Sequence, residues 1–134
     1  MTNAVKLVVA VVLQDDQKRI LLARRPEGKS MAGLWEFPGG KVGPGEVPEA
    51  ALVRELDEEL GIGVEVFDLR PLTFASHGYA DFHLLMPLYS CVRWKGHPKP
   101  LEHSALAWVH CDELRGYEMP PADEPLIPLL KALL

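Results

Sequence analysis

Three glutamates, Glu55, Glu58 and Glu59, stand at i, i+3 and i+4 within the stretch Pro48 to Leu60. That stretch reads as a helix: a proline opens it, Gly61 follows it, and good helix formers lie between. On a helical wheel Leu52, Val53, Leu56 and Leu60 share one arc, the expected buried face, and the three glutamates share the next. Carboxylates so spaced repel one another, and two of them lie in the last turn, where the helix dipole is already negative. Local rules count against the arrangement by about 1–2 kcal/mol. Either the face is simply solvated, or a cation completes it. No Cys or His stands beside the triplet, so its hard oxygen ligands suit Mg²⁺ or Mn²⁺ rather than zinc. Arg54, just before it, can orient one carboxylate through a charge-assisted pair.

The surroundings of the triplet decide between these readings. From Gly40 the chain runs through five residues to Glu46, then seven more to Arg54-Glu55-Leu56-Asp57-Glu58-Glu59-Leu60-Gly61-Ile62. This resembles, at every specified position, the Nudix box G-x5-E-x7-R-E-U-x-E-E-x-G-U, where U is a bulky aliphatic residue. The resemblance implies an α+β Nudix fold, a mixed β-sheet sandwiched between α-helices with the box as loop–helix–loop. It implies hydrolysis of a nucleoside diphosphate linked to another group, with Mg²⁺ as cofactor and Mn²⁺ as a substitute. An acidic site can hold a polyphosphate only through metal ions, which neutralise charge and lower the pKa of a bound water. By the same resemblance Glu58 and Glu59 are metal ligands, and Glu55 is a ligand or a base toward the attacking water. The Gly39 carbonyl adds a ligand, Glu46 is structural, and Arg54 orients the catalytic pair Glu55 and Glu58.

Three further segments, Leu34–Lys41, Trp94–Pro98 and Pro120–Pro125, resemble the MutT branch, which hydrolyses 8-oxo-dGTP to 8-oxo-dGMP and pyrophosphate. That likeness implies substrate contacts from Arg25, Phe37, Gly40, Lys41 and Asp123, and a metal-binding role for Glu102. Each has a plainer alternative: Arg25 and Glu102 as loop charges, Phe37 as core, Asp123 as a helix cap. Where MutT carries Asn, this chain has Asp123; an ionised Asp only accepts hydrogen bonds, whereas Asn also donates. Asp123 suits the N–H groups of an oxidised guanine or the exocyclic amine of a cytosine. Modified dCTP or CTP, or another nucleoside diphosphate derivative, is therefore the alternative substrate. A catalytically silent base-recognition module is the alternative from another class, and the intact glutamate set argues against it.

The elements that must hold these residues follow from pattern and composition. The chain has 134 residues, 48 % apolar and 25 % charged, which is ordinary for one globular domain over 1–134. A net charge of −5 argues against a broad basic face for nucleic acid or membrane. The expected partner is a small nucleotide, with no stable nucleic-acid or membrane binding, in a cytoplasmic monomer or weak dimer. Cys91 and Cys111 have no metal or redox spacing, and the five histidines show none either. Val5–Leu13 and Arg19–Arg24 read as strands pairing in a hairpin across Asp15–Lys18. Further strands are expected at Trp35–Phe37, Val64–Leu69, Leu72–His77, Phe82–Trp94 and Ala105–Val109. Pro87 should mark an edge strand or a bulge. A helical turn is expected over Asp112–Tyr117, and a closing helix over Leu126–Leu134.

Overall fold

The computed structural model describes residues 4–134. Among them the strands are β1 (Ala4–Leu13), β2 (Arg19–Arg24), β3 (Trp35–Glu36), β4 (Gly39–Lys41), β5 (Arg70–Gly78), β6 (Phe82–Cys91) and β7 (Ala105–His110), and the helices α1 (Pro48–Leu60) and α2 (Leu126–Leu133). Four strands form a mixed sheet in the order β4-β1-β6-β5, in which β1 and β6 run parallel. The other three form an antiparallel sheet, β3-β2-β7.

Side-chain alternation along β1 and β2 explains the layering. Val9, Val11 and Leu13, with Leu21 of β2, pack with Leu52, Leu56 and Leu60 of α1. Ala10 and Val12, with Ile20 and Leu22, face the opposite way and pack with Leu126, Ile127 and Leu130 of α2. A period of two thus sends alternate residues into two cores, so residues 7–13 and 20–23 read as unbroken apolar runs. The strands lie between two helices, as the motif resemblance implied. No helix among the described residues is long and apolar enough to cross a membrane. Both cysteines are free, and burial pushes both thiols up in pKa.

Three expectations need correction. The turn at Asp15 closes, with the Asp15 N–H donating to the Arg19 carbonyl at 3.0 Å, but β1 and β2 do not pair beyond a bridge at Gln14 and Ile20. Each has better neighbours in its own sheet, so the turn carries the chain between sheets. Val64–Leu69 is not a strand: residues Val66–Asp68 form a 3₁₀ turn, with Val66 and Phe67 exposed and only the flanking Val64 and Leu69 buried. Pro87 sits on the internal strand β6, not at an edge, although the β5–β6 register does shift close by, between Pro71 and Thr73. The β1–β6 pairing runs to Leu7 and Leu85 and resumes at Ala10 and Leu88, so the missing donor coincides with a gap in the ladder. Beyond Pro38 the chain enters a further short strand, β4, which begins at Gly39. A Cβ on Gly39 would run into the Val9 carbonyl, so only glycine lets β4 approach β1 this closely.

Candidate active site

Helix α1 carries the acidic cluster, and its termination fixes where that cluster lies. Gly61 adopts a left-handed φ of 69° and its N–H returns to the Asp57 carbonyl. The next loop supplies further donors: the Lys99 N–H reaches the Leu60 carbonyl at 2.9 Å and the Leu101 N–H the Glu59 carbonyl at 3.1 Å. These backbone donors stand where a basic residue would otherwise offset the dipole, since the last turn has none. They also bring Glu102 and His103 beside the end of the helix.

The three glutamates end in different environments. Arg54 grips Glu46 with a two-pronged pair, Nε to Oε2 at 2.8 Å and Nη2 to Oε1 at 2.9 Å. Its Nη1 donates to Glu55 Oε1 at 2.9 Å and to Glu58 Oε2 at 3.3 Å. Nη2 also reaches the Lys41 carbonyl on β4 at 3.1 Å. Arg54 is therefore the orienter, and Glu46 its anchor. The hydrogen bond from Arg54, then the Gly43 N–H, draws the Glu46 carboxyl down to about 2. Gly40 lies against Glu55, and a Cβ there would overlap the carboxylate.

Glu59 is different: it is 5 % exposed, on the buried face rather than the acidic one, while Val53 is only partly buried. Burial, then the neighbouring Glu55 and the charges of Glu36 and Glu102, push its carboxyl up to about 10. Its Oε1 is buried and has no hydrogen-bond partner. The nearest cationic candidate, His103 Nε2, is 3.7 Å away, too far for a hydrogen bond. No three acidic, His or Cys groups among the described residues already enclose a metal-sized space. The orphaned oxygen and the all-carboxylate set nonetheless fit a hard divalent cation, which would satisfy Glu59 and relieve its repulsion from Glu55. Glu102 is exposed in the loop, close enough for its charge to act on Glu59.

A second group of side chains forms the other half of the site. Arg25 donates through Nη1 to Glu36 Oε1 at 2.9 Å and through Nε to the Ser30 carbonyl at 2.7 Å. Asp123 is 5 % exposed, and burial, then the Glu36 charge, raise its carboxyl to about 7. The Phe37 N–H opposes that rise. Asp123 does not cap α2 with its side chain: the capping position is Pro125, and only the Asp123 carbonyl accepts, from the Leu126 N–H. The Phe37 ring is core, packed in the α2-side cluster, so its contribution here is the backbone N–H. The Ala122 N–H donates to the Tyr79 hydroxyl at 3.3 Å, and the Tyr79 ring stacks on Phe82. Gly40 and Lys41 on β4 border the glutamate cluster.

The structure thus gathers Arg54, Glu55, Glu58 and Glu59 on one side and Arg25 and Asp123 on the other. Two residues between them were not legible from spacing. Glu36 bonds to Arg25 and to His103, whose Nε2 lies 3.0 Å from Glu36 Oε2. Judging histidines by their spacing from one another misses this one, because its partners lie across the fold. Its place next to Glu102 was the available signal. Two broad clefts, about 630 Å³ beside Lys18 and Cys111 and about 730 Å³ beside Val64 and Trp94, include neither Glu59 nor Asp123.

Two sheets between two helices, with a glutamate helix clamped by an arginine, fit a hydrolase site of the polyphosphate-cleaving kind, and comparison with known proteins agrees. The model of the NUDIX domain family matches residues 8–129. The 8-oxo-dGTP diphosphatase of Escherichia coli (strain K12) is 37 % identical over 129 residues, which is 96 % of this chain and 98 % of that protein. The CTP pyrophosphohydrolase of the same strain is 42 % identical over 128 residues, 94 % of this chain and 91 % of that one. A solved MutT structure, from work on Aliivibrio salmonicida and Vibrio cholerae, superposes with a TM-score of 0.81 at 30 % identity, covering 97 % of this chain and 99 % of that one. The chain belongs to the Nudix family and is a hydrolase of phosphoanhydride bonds.

Proposed function

We propose that this protein is a Mg²⁺-dependent nucleoside triphosphate pyrophosphohydrolase whose preferred substrate is 8-oxo-dGTP, released as 8-oxo-dGMP and pyrophosphate. It would act in the cytoplasm as a single-domain monomer or weak dimer, cleansing the nucleotide pool and so limiting mutation. The observation that carries the reading is the buried Glu59 carboxyl beside Glu55, with its Oε1 left without a hydrogen-bond partner. A fold keeps such a group where a cation takes the proton's place. Bound Mg²⁺ supplies charge neutralisation and an activated water.

The chain's own residues do the rest. Glu55, Glu58 and Glu59 hold the cation, with the Gly39 carbonyl and Glu102 as further ligands. We assign to Glu55 the role of a ligand or of the base toward the attacking water. Arg54 keeps Glu55 and Glu58 in place, and its own hold on Glu46 fixes it in turn. Arg25, Gly40 and Lys41 face the phosphates, and Asp123 reads the base.

Asp123 is what favours oxidised guanine. With its carboxyl raised to about 7, the protonated form carries a donor and an acceptor, the same pair that Asn offers. The ionised form, an acceptor alone, meets only the N–H groups of an oxidised guanine and equally suits a cytosine amine, and the 42 % identity to a CTP pyrophosphohydrolase keeps that second reading open. Measuring pyrophosphate release from 8-oxo-dGTP, dGTP, CTP, dCTP and 5-substituted dCTP separates them. The highest kcat/KM is expected on 8-oxo-dGTP; a preference for cytosine nucleotides would replace the first reading by the second.

A further inference from the structure

Glu36, His103 and Glu59 come from three separate elements: β3, the loop leading into β7, and the last turn of α1. Glu36 divides its oxygens between two donors, with Oε1 accepting from Arg25 Nη1 at 2.9 Å and Oε2 facing His103 Nε2 at 3.0 Å. A carboxylate paired with arginine only accepts, so the ring nitrogen facing it carries the proton. The same Nε2 stands 3.7 Å from Glu59 Oε1. The His103 side chain is 6 % exposed and its Nδ1 is buried without a partner. Packing alone gives an imidazole no reason to sit there, whereas the bond to Glu36 does. Glu36 is also the charge that acts on both halves of the site, on Glu59 and on Asp123.

We propose that His103 is a positioning residue, holding Glu36 between Arg25 and Glu59 so that the nucleotide side and the metal side of the site share one geometry. His103 touches neither substrate nor cation in this arrangement; it acts through Glu36. Without it, Glu36 keeps only its bond to Arg25, Arg25 is held by Ser30 and a freed Glu36, and the Glu36 charge is no longer fixed relative to Glu59. The proposal rests on Glu59 being a cation ligand.

The test uses the whole protein and two readouts. Melting temperature is followed while Mg²⁺ alone is titrated in, and kcat and KM are measured for 8-oxo-dGTP at saturating Mg²⁺. His103→Leu removes the donor, whereas His103→Gln places an amide N–H near the Nε2 position. Removing such a supporting bond typically weakens metal affinity or activity by about 10- to 100-fold. His103→Leu should therefore raise the Mg²⁺ half-saturation about 10-fold and raise KM more than it lowers kcat, and His103→Gln should recover most of both. Should His103→Leu fail to fold, Glu36→Gln should give the same pair of increases, because it turns one acceptor oxygen into a donor. A His103→Leu protein that melts lower yet keeps the wild-type Mg²⁺ half-saturation and KM would make His103 a packing residue and overturn the proposal. So would a His103→Gln variant no better than His103→Leu. If the wild type itself shows no Mg²⁺-induced rise in melting temperature, the cation reading fails, and the positioning role falls with it.

Discussion

Asp123 shows how the surroundings of one residue change its chemistry. Read as a free carboxylate, it accepts hydrogen bonds and donates none. Buried at 5 % exposure beside Glu36, it titrates near 7, so at neutral pH both forms are present. As pH rises through about 7 the wild type loses its donor, while Asp123→Asn keeps one throughout. kcat/KM for 8-oxo-dGTP should then fall above neutrality by roughly 10-fold in the wild type, about the worth of one hydrogen bond, and stay flat in Asp123→Asn. Parallel pH–rate profiles for the two proteins would remove Asp123 from base recognition. The residues of the motif were legible because chemistry fixes their types and spacing together. Glu36 and His103 were not, because a contact between positions 67 apart in sequence leaves no local pattern.

Among the elements, α1 was legible to both ends: Pro48 starts it, Gly61 stops it, and a 3.6-residue period marks its inner face. Glu59 escaped the same wheel because its neighbours lie outside the helix: the loop at Lys99–Leu101 binds the last carbonyls of α1, and His103 Nε2 lies 3.7 Å from its Oε1. The hairpin expected from β1 and β2 failed for a related reason. Strand partners are chosen by the whole sheet, and a tight turn guarantees only that two strands are close in sequence. Gly61 is where the helix end and that loop meet. Gly61→Ala would force a side chain into a left-handed backbone and bring its Cβ to 3.4 Å from Leu101. The expected cost is about 1–2 kcal/mol, a fall of roughly 3–8 °C in melting temperature. Because Leu101 leads to Glu102 and His103, the Mg²⁺ half-saturation should rise as well. A melting temperature unchanged by Gly61→Ala would mean that this cap does not hold the helix end.

Across the whole molecule, the site sets how stability responds to pH. Glu59 and Asp123 are raised in the folded state, so each stabilises fully below its ordinary value, and that stability is lost as pH rises toward about 10 and about 7 respectively. Glu46 is lowered to about 2 and acts oppositely, its contribution being lost as pH falls from its ordinary range toward that value. Metal-free protein should therefore melt at steadily lower temperature from pH 5 to pH 9, and Mg²⁺ should flatten that fall by replacing the proton on Glu59. A metal-free melting temperature constant over this range would contradict the burial of two protonated carboxyls. The central claim is that a repulsive glutamate cluster persists here because a cation completes it. Its most direct test is pyrophosphate release from 8-oxo-dGTP as a function of Mg²⁺, in the wild type and in Glu59→Gln. Release should vanish on exhaustive chelation and return with Mg²⁺. In Glu59→Gln the Mg²⁺ needed for half-maximal rate should rise by about 10-fold or more. Activity that survives chelation, or a Glu59→Gln enzyme with the wild-type Mg²⁺ dependence, would contradict the account.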